Sequence, residues 1–172
     1  MKKNKTIKHL TYSAILAALI FLSTAYLAMP LPVLGYVHLG DGFILLAAAI
    51  LPTPYAVGAA VIGAGAADIV SGYAIYLPAT VIIKAITAML VSSKDKKMIS
   101  VRNLTALIPA VLVCCGGYYL YESLIYKSFV SPIASVPFNL VQSALGGIIF
   151  VLLGVLIDKN HGLGKIFKQN LQ

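Results

Sequence analysis

The chain has 172 residues, of which 60% are hydrophobic and 10% are charged, and its mean hydropathy is +0.94. These values lie far outside the range of soluble proteins and exclude a soluble globular domain. The net charge of +8 comes from short basic runs beside apolar segments. Such a pattern is typical of membrane topology and argues against a nucleic-acid partner.

Apolar runs separated by breakers predict an all-α integral membrane protein, with one domain over residues 1–172 and six transmembrane helices. The first helix is expected to be retained, because no small-residue cleavage site follows it. The second and fourth helices are shorter than the ~20 residues that a span usually needs, so we expect them to extend, tilt or pack behind longer neighbours. The predicted helices run from about His9 to Ala28, from just after Gly40-Asp41 to Leu51, from Tyr55 to about Val70, from Pro78 to Val91, from about Leu104 to Glu122 and from about Pro137 to Ile157.

Basic residues set the expected orientation of these helices. They concentrate in an N-terminal tail (1–8), in the loop 92–103 and in a C-terminal tail (159–172). The positive-inside rule places all three segments, and therefore both termini, in the cytoplasm. The loop 29–40 then lies outside, and Lys127 is the one basic residue that falls in an outer loop.

Lys84 interrupts the apolar fourth helix, roughly 9 Å below its outer end at 1.5 Å per residue. A lysine at this depth is costly unless it meets a partner charge or a polar cavity. A purely structural pair with Asp68 or Asp41 would hold helices together, but it would not require further polar groups at the same depth. We therefore predict a ligand pocket that is open to the outside. The polar residues at the outer helix ends are Asp41, Asp68, Glu122, Asn139 and Gln142.

Tyrosines also concentrate in the outer half. A belt at the lipid headgroups explains most of them, but a belt normally forms on both sides of a membrane. Because tyrosine rings stack on flat rings and their hydroxyls hydrogen-bond ring edges, we expect two or three of them in the pocket. The eight tyrosines of the outer half are Tyr26, Tyr36, Tyr73, Tyr76, Tyr118, Tyr119, Tyr121 and Tyr126.

Small residues predict where helices approach closely. Ala14 and Ala18 form a small-xxx-small face on the first helix, for which we favour an external helix as the partner. The adjacent Cys114 and Cys115 are interpreted as packing residues. No Walker motif, metal-ligand cluster or pair of catalytic carboxylates is present in the sequence, so we expect no catalytic residue, metal or cofactor in this chain.

Several motifs resemble one known family. They are Tyr36-Val37-His38-Leu39-Gly40-Asp41, the pair Ala67-Asp68, the segment from Ser71-Gly72-Tyr73 to Pro78-Ala79-Thr80, and Ile83-Lys84. Together with the six-helix layout and the alanine face, they resemble the substrate-binding S components of energy-coupling factor (ECF) vitamin transporters. The similarity is to the branch with riboflavin-type and hydroxymethylpyrimidine- or pyridoxine-type members.

The resemblance implies a vitamin-binding subunit of the bacterial plasma membrane, with no enzymatic activity of its own. Its partners would be a coupling transmembrane subunit and two ATPase subunits, which hydrolyse the ATP. Loop 29–40 would cover the ligand as a lid, and Ala14 and Ala18 would face the coupling subunit. The polar cluster and the motifs together give the expected substrate-binding residues: His38, Asp41, Asp68, Tyr73, Tyr76, Lys84, Tyr119, Glu122, Asn139 and Gln142.

The ligand expected from this polar inventory is a small flat heteroaromatic, such as hydroxymethylpyrimidine or pyridoxine. Riboflavin and thiamine are the alternatives within the family. The alternative from a different class is a small integral-membrane enzyme with a polar site in the outer leaflet.

Overall fold

The computed structural model describes residues 2–30, 36–91, 93–95 and 97–160, together with Gly162. These residues form seven α-helices, one two-stranded hairpin and two short 3-10 helices. The helices are α1 (Lys2–Ala25), α2 (Gly40–Ile50), α3 (Thr53–Val70), α4 (Leu77–Leu90), α5 (Val101–Thr105), α6 (Leu107–Tyr126) and α7 (Val136–Lys159). The strands are β1 (Ala28–Pro30) and β2 (Tyr36–His38), and the 3-10 helices are Ala74–Tyr76 and Ser131–Ser135.

The apolar helices follow the expected layout, with α5 and α6 as the fifth helix and α7 as the sixth. Two of them, Gly40–Ile50 and Ala74–Leu90, are the short helices that the sequence predicts. Within the described residues, four helical segments are long and apolar enough to cross a membrane: Lys5–Ala25, Thr53–Val70, Val101–Tyr126 and Ser131–Lys159. The chain is therefore an all-α membrane protein.

The ends of α1 differ from the prediction. The helix begins at Lys2, so the expected tail 1–8 is helical over its described part, because no glycine or proline stops the helix there. It ends at Ala25, before the expected Ala28, because Ala28 begins β1 and pairs with His38 of β2. Of the expected lid 29–40, residues 31–35 lie outside the described residues, as do parts of the loop 92–103 and most of the tail 159–172.

Helix α2 forms the centre of the bundle. Ten of its 11 residues are buried, and it packs against α1, α3, α4 and α7. An 11-residue helix is about 16 Å long, which is much less than the ~30 Å of a bilayer core. Its length is tolerated because longer neighbours surround it, and this arrangement brings Asp41, in its first turn, into the middle of the protein.

Glycines allow α2 and α7 to approach closely. A Cβ atom added to Gly146 would lie 2.8 Å from Cβ of Asp41 and 3.1 Å from the backbone nitrogen of Gly42. Both obstacles are part of the helix itself and cannot swing away like the end of a long side chain. The close approach positions Gln142, one turn earlier on α7, beside Asp41.

We expect Gly146→Ala to destabilise the protein by about 1–3 kcal/mol, because the added methyl group overpacks this contact. The measurement is thermal unfolding in detergent. Gly116→Ala in α6 is the matched control, since no atom lies within 4 Å of its added Cβ. The control should be neutral or slightly stabilising, as alanine favours a helix more than glycine does. Equal melting temperatures for Gly146→Ala and the wild type would contradict the packing argument.

Candidate ligand-binding site

A cavity of about 400 Å³, its open mouth included, lies between the β-hairpin and the adjoining ends of α3, α4, α6 and α7. We call it the polar cavity, because every lining side chain carries a polar group. It is lined by Tyr36, His38, Asp68, Tyr76, Thr80, Tyr118, Glu122, Ser135, Asn139 and Gln142.

Lys84 pairs with Asp41 beneath the polar cavity. Its Nζ atom lies 2.6 Å from Oδ1 of Asp41, and the side chains are only 1% and 7% exposed. The same Nζ atom lies 5.4 Å from the centre of the Tyr118 ring, within the range of a cation–π contact. Of the two acids that the sequence offers as partners of Lys84, the structure selects Asp41. The pair does not line the cavity, but it contacts Tyr118 and Gln142, which do.

Gln142 connects the ion pair to the cavity wall. Its Nε2 atom donates a hydrogen bond to Oδ2 of Asp41 at 3.1 Å, and its Oε1 atom accepts one from the backbone N–H of His38 at 3.3 Å. An ionised carboxylate only accepts hydrogen bonds, so Asp41 fixes which end of the Gln142 amide faces it. The buried pair thereby holds Gln142 in one orientation, and Gln142 holds strand β2 against α7.

Asp68 has one carboxylate oxygen without a well-formed hydrogen bond. The Tyr36 hydroxyl donates a hydrogen bond to Oδ1 at 2.6 Å, whereas Oδ2 is buried and accepts no hydrogen bond of good geometry among the described residues, although the Thr80 hydroxyl lies close enough to interact with the carboxylate. Burial and the neighbouring Asp68 raise the pKa of Tyr36, which keeps its hydroxyl protonated and donating. A buried acceptor without a partner is energetically costly. A donor group on a bound ligand would satisfy it.

Glu122 forms the acidic part of the opposite wall. It accepts hydrogen bonds from the Tyr76 hydroxyl at 3.2 Å and from the Ser135 hydroxyl. Nearby, the hydroxyls of Thr80 and Tyr118 bond each other at 3.1 Å. The cavity thus presents two carboxylates and several hydroxyl groups to a ligand, and no cationic side chain lines it among the described residues.

His38 offers a donor in a fixed position. Its Nδ1 atom accepts a hydrogen bond from the backbone N–H of Gly40 at 3.1 Å, so the proton of the neutral ring is on Nε2. Burial lowers the pKa of His38 to about 4, and this effect outweighs the opposing influence of Asp41. The imidazole is therefore neutral at physiological pH.

The low pKa of His38 predicts sensitivity to acid. The pKa falls from an ordinary value of 6.5 to about 4 in the folded protein. Between these values the unfolded chain binds a proton that the folded protein does not, so stability present above pH 6.5 is lost as the pH falls towards 4. We expect the melting temperature in detergent to decrease over this window, and to decrease less in His38→Gln. Identical profiles for the two proteins would contradict this.

The structure brings together six of the ten expected substrate-binding residues around the polar cavity: His38, Asp68, Tyr76, Glu122, Asn139 and Gln142. Asp41 and Lys84 lie beneath it. Tyr73 packs on the far side of Tyr36, with ring centres 4.7 Å apart, and the Tyr119 hydroxyl bonds the backbone oxygen of Phe129. Neither of these two tyrosines lines the cavity.

Four lining residues are absent from the expected set: Tyr36, Thr80, Tyr118 and Ser135. Helical spacing could have identified two of them. Thr80 lies four positions before Lys84, and Tyr118 lies four positions before Glu122, so each shares a helix face with an expected residue. Tyr36 and Tyr118 also belong to the eight outer tyrosines, of which three line the cavity. Ser135 lies in a 3-10 helix that no sequence pattern marks.

The alanine face of α1 lies outside the bundle. Ala14 and Ala18 are exposed, whereas Ala17 between them faces α3, with its backbone oxygen 2.5 Å from the position of an added Cβ on Gly63. The small residues of α1 thus lie on two surfaces. Ala17 packs against α3, whereas Ala14 and Ala18 are exposed on the described part of the chain.

A comparison with protein families identifies a match over most of the chain. The family model described as "ECF-type riboflavin transporter, S component" matches residues 4–159. This range contains every residue that lines the polar cavity, as well as the buried ion pair and the alanine face. No curated protein matches the chain at a significant level.

Proposed function

Since the chain belongs to the family of ECF-type riboflavin transporter S components, and is therefore a vitamin-binding transporter subunit and not an enzyme, we propose that its polar cavity is the vitamin site. The observation that carries this proposal is the buried Oδ2 atom of Asp68, which accepts no hydrogen bond of good geometry among the described residues. Asp68 lines the cavity, and a ligand donor that reaches its carboxylate would satisfy this acceptor.

The ligand that this cavity favours is a one-ring heteroaromatic vitamin, such as hydroxymethylpyrimidine or pyridoxine. Its ten polar lining residues suit a small molecule that carries several hydrogen-bonding groups. Asp68 and Glu122 accept hydrogen bonds, so they suit amino or hydroxyl substituents, while the Nε2–H of His38 suits a ring nitrogen. The three tyrosines of the wall provide faces on which a flat ring stacks.

Riboflavin is the second candidate, and the description of the matching family supports it. Its hydroxylated chain would use the same carboxylates, and its rings the same tyrosines. A three-ring ligand needs more room than a one-ring ligand, so it would require the hairpin to move outward. Ligand size therefore separates the two candidates.

A binding panel tests the proposal. Hydroxymethylpyrimidine, pyridoxine, thiamine and riboflavin are titrated into the detergent-purified protein, with tyrosine fluorescence as the signal because the chain has no tryptophan. Native mass spectrometry of the freshly purified protein identifies any vitamin that co-purifies. Tight binding of a one-ring vitamin supports the proposal, whereas tight binding of riboflavin alone replaces it with the second candidate. Binding of none of the four would refute the assignment.

We further propose that both termini are cytoplasmic, that the polar cavity faces outward in a bacterial plasma membrane, and that the hairpin region 29–40 acts as the lid. The distribution of basic residues supports this orientation. Family membership implies association with an ECF transmembrane subunit and with ATPase subunits. We propose that each complex contains two ATPase subunits and that these subunits hydrolyse the ATP.

The exposed alanine face of α1 is the proposed contact with the coupling subunit. We expect Ala14→Trp and Ala18→Trp to stop vitamin uptake in cells and to reduce co-purification of the coupling subunit, because a bulky side chain blocks close helix packing. Vitamin affinity of the isolated protein should remain unchanged, since the substitution is far along α1 from the cavity. Ala144→Trp, at an exposed alanine of α7, is the control. Normal uptake by both α1 variants would remove this face as the docking surface.

A further inference from the structure

Three hydroxyl groups of the polar cavity already donate to its two acids. The Tyr36 hydroxyl donates to Asp68 at 2.6 Å, and the hydroxyls of Tyr76 and Ser135 donate to Glu122. A hydroxyl has one proton to donate, so these three groups offer a ligand only acceptor oxygens. The wall of the cavity is therefore rich in acceptors and poor in free donors.

Basic side chains are scarce at this end of the protein. The chain has no lysine or arginine between Lys8 and Lys84, so neither strand of the hairpin nor the segment that joins them carries one. Lys84 is buried and pairs with Asp41. Lys127, at the end of α6, is exposed to solvent and does not line the cavity. Among the described residues, a ligand in the cavity therefore meets no free cation.

The helix ends beside the cavity do not form an anion site either. Helices α4 and α7 start there, and free N–H groups at the start of a helix commonly bind phosphate. The N–H groups of Leu77 and Val136, the first residues of these helices, donate to carbonyl groups of the preceding 3-10 helices. The second residues are Pro78 and Pro137, which have no N–H to donate. Both helix starts are thus poor in free donors.

We propose that the polar cavity binds the free vitamin and rejects the phosphate ester of the same vitamin, with Asp68 and Glu122 as the residues that discriminate. A phosphate group carries a charge of about −1.5 to −2 at pH 7 and three strong acceptor oxygens. In the cavity it would meet two acids, no free cation and few free donors. The amino and hydroxyl groups of a free vitamin instead donate to the same two acids. This inference rests on the polar cavity as the vitamin site.

The proposal also determines the order of two reactions. A vitamin that reaches the cell as a phosphate ester must first be hydrolysed to the free alcohol and inorganic phosphate, because only the alcohol binds. Transfer of a phosphoryl group to the vitamin must follow its release from this protein.

Matched pairs of ligands test the proposal on the detergent-purified full chain. Each vitamin of the panel is titrated beside its phosphate ester: pyridoxine and its 5′-phosphate, hydroxymethylpyrimidine and its monophosphate, thiamine and its monophosphate, riboflavin and its 5′-phosphate. The measured quantity is the dissociation constant of the ester divided by that of the free vitamin. We expect a ratio of about a hundredfold in any pair that binds, because a ligand charge placed beside like charges disfavours binding strongly. A ratio below about tenfold would overturn the proposal.

Charge variants separate repulsion of the phosphate from the larger size of an ester. Glu122→Gln keeps the size of the side chain and removes its charge, so the ratio should fall about tenfold. Asn139→Lys adds a cation on the half-buried wall and should lower the ratio by strengthening ester binding. It provides the test if Glu122→Gln binds neither ligand. Asp158→Asn, at the opposite end of the bundle, and Lys127→Gln are the controls and should leave the ratio unchanged.

Two results with these variants would contradict the proposal. A wild-type ratio in both Glu122→Gln and Asn139→Lys would assign the rejection to size. A loss of ester affinity in Lys127→Gln would show that this exposed lysine holds the phosphate. An ester that binds as tightly as its free vitamin would overturn this inference and leave the vitamin site intact, whereas binding of no member of any pair would refute the site itself.

Discussion

Lys84→Ala is expected to abolish vitamin binding and to destabilise the protein by about 3–5 kcal/mol, because it leaves Asp41 buried without its counter-charge. The two side chains are almost inaccessible to solvent, so water cannot replace the missing ammonium group. Titration with the vitamin that the panel identifies measures the first effect, and thermal unfolding in detergent measures the second. Membrane insertion should be retained. Wild-type affinity and stability in Lys84→Ala would refute the role of the pair.

Two double variants distinguish support of the fold from support of the site. Lys84→Met with Asp41→Leu removes both charges, and it should recover most of the stability because a buried pair is often replaceable by apolar groups. Lys84→Met with Asp41→Asn should be comparably stable, and the asparagine side chain that replaces Asp41 still offers an oxygen to Gln142. If the pair acts on the cavity through Gln142, the asparagine variant binds vitamin more tightly than the leucine variant. Equal affinities would mean that the pair supports the fold alone.

Asp68→Asn is expected to weaken vitamin binding by about 1.5–3 kcal/mol, the usual contribution of a hydrogen bond to a charged group. The variant keeps the shape of the side chain and an oxygen that can accept from Tyr36. It exchanges the free acceptor oxygen for an amide that donates, so a ligand donor loses its partner. The expected result is therefore a loss of affinity of about tenfold to a hundredfold, as measured by titration.

Stability should remain unchanged or rise in Asp68→Asn, because a buried oxygen without a partner is removed. This separates the prediction from that for Lys84, where affinity and stability fall together. Asp158→Asn is a control at the opposite end of the bundle, where the Asp158 carboxylate accepts from the backbone N–H groups of Met98 and Ile99. It should lower stability and leave affinity intact. An unchanged affinity in Asp68→Asn would contradict the assignment of Asp68 to the ligand.

The architecture was predictable because the lengths of apolar runs are a direct physical signal. Proline and glycine limit α2 and α4 on the sequence, and these helices are short in the structure. The hairpin was not predictable in the same way, since strands of three residues are too short to show an alternating pattern. The sequence therefore suggests a loop where β1 and β2 pair.

The depth of the polar residues was predictable, but their direction around each helix was not. Asp41 and Asp68 lie at similar depths, and only the rotation of α2 and α3 decides that Lys84 meets Asp41 while Asp68 meets Tyr36. Tyr118 and Tyr119 are neighbours on α6, a helix that is apolar on all sides, so no pattern shows which of them faces inward. Packing against other helices supplies this information, and it is not local in sequence.

The shortness and burial of α2 also bear on how the protein enters the membrane during synthesis. Lys84 lies in the middle of α4, where a lysine would cost about 2.5–3.5 kcal/mol in an independently inserted helix, and Asp41 in the first turn of α2 adds to the cost of inserting that helix. Neither helix has the ~20 apolar residues that would offset this cost. We expect α2 to await the emergence of α4 from the ribosome, so that the two opposite charges enter the bilayer together with α3 between them. The unit of insertion is then the three-helix segment, and a truncation after α3 should leave α2 outside the lipid.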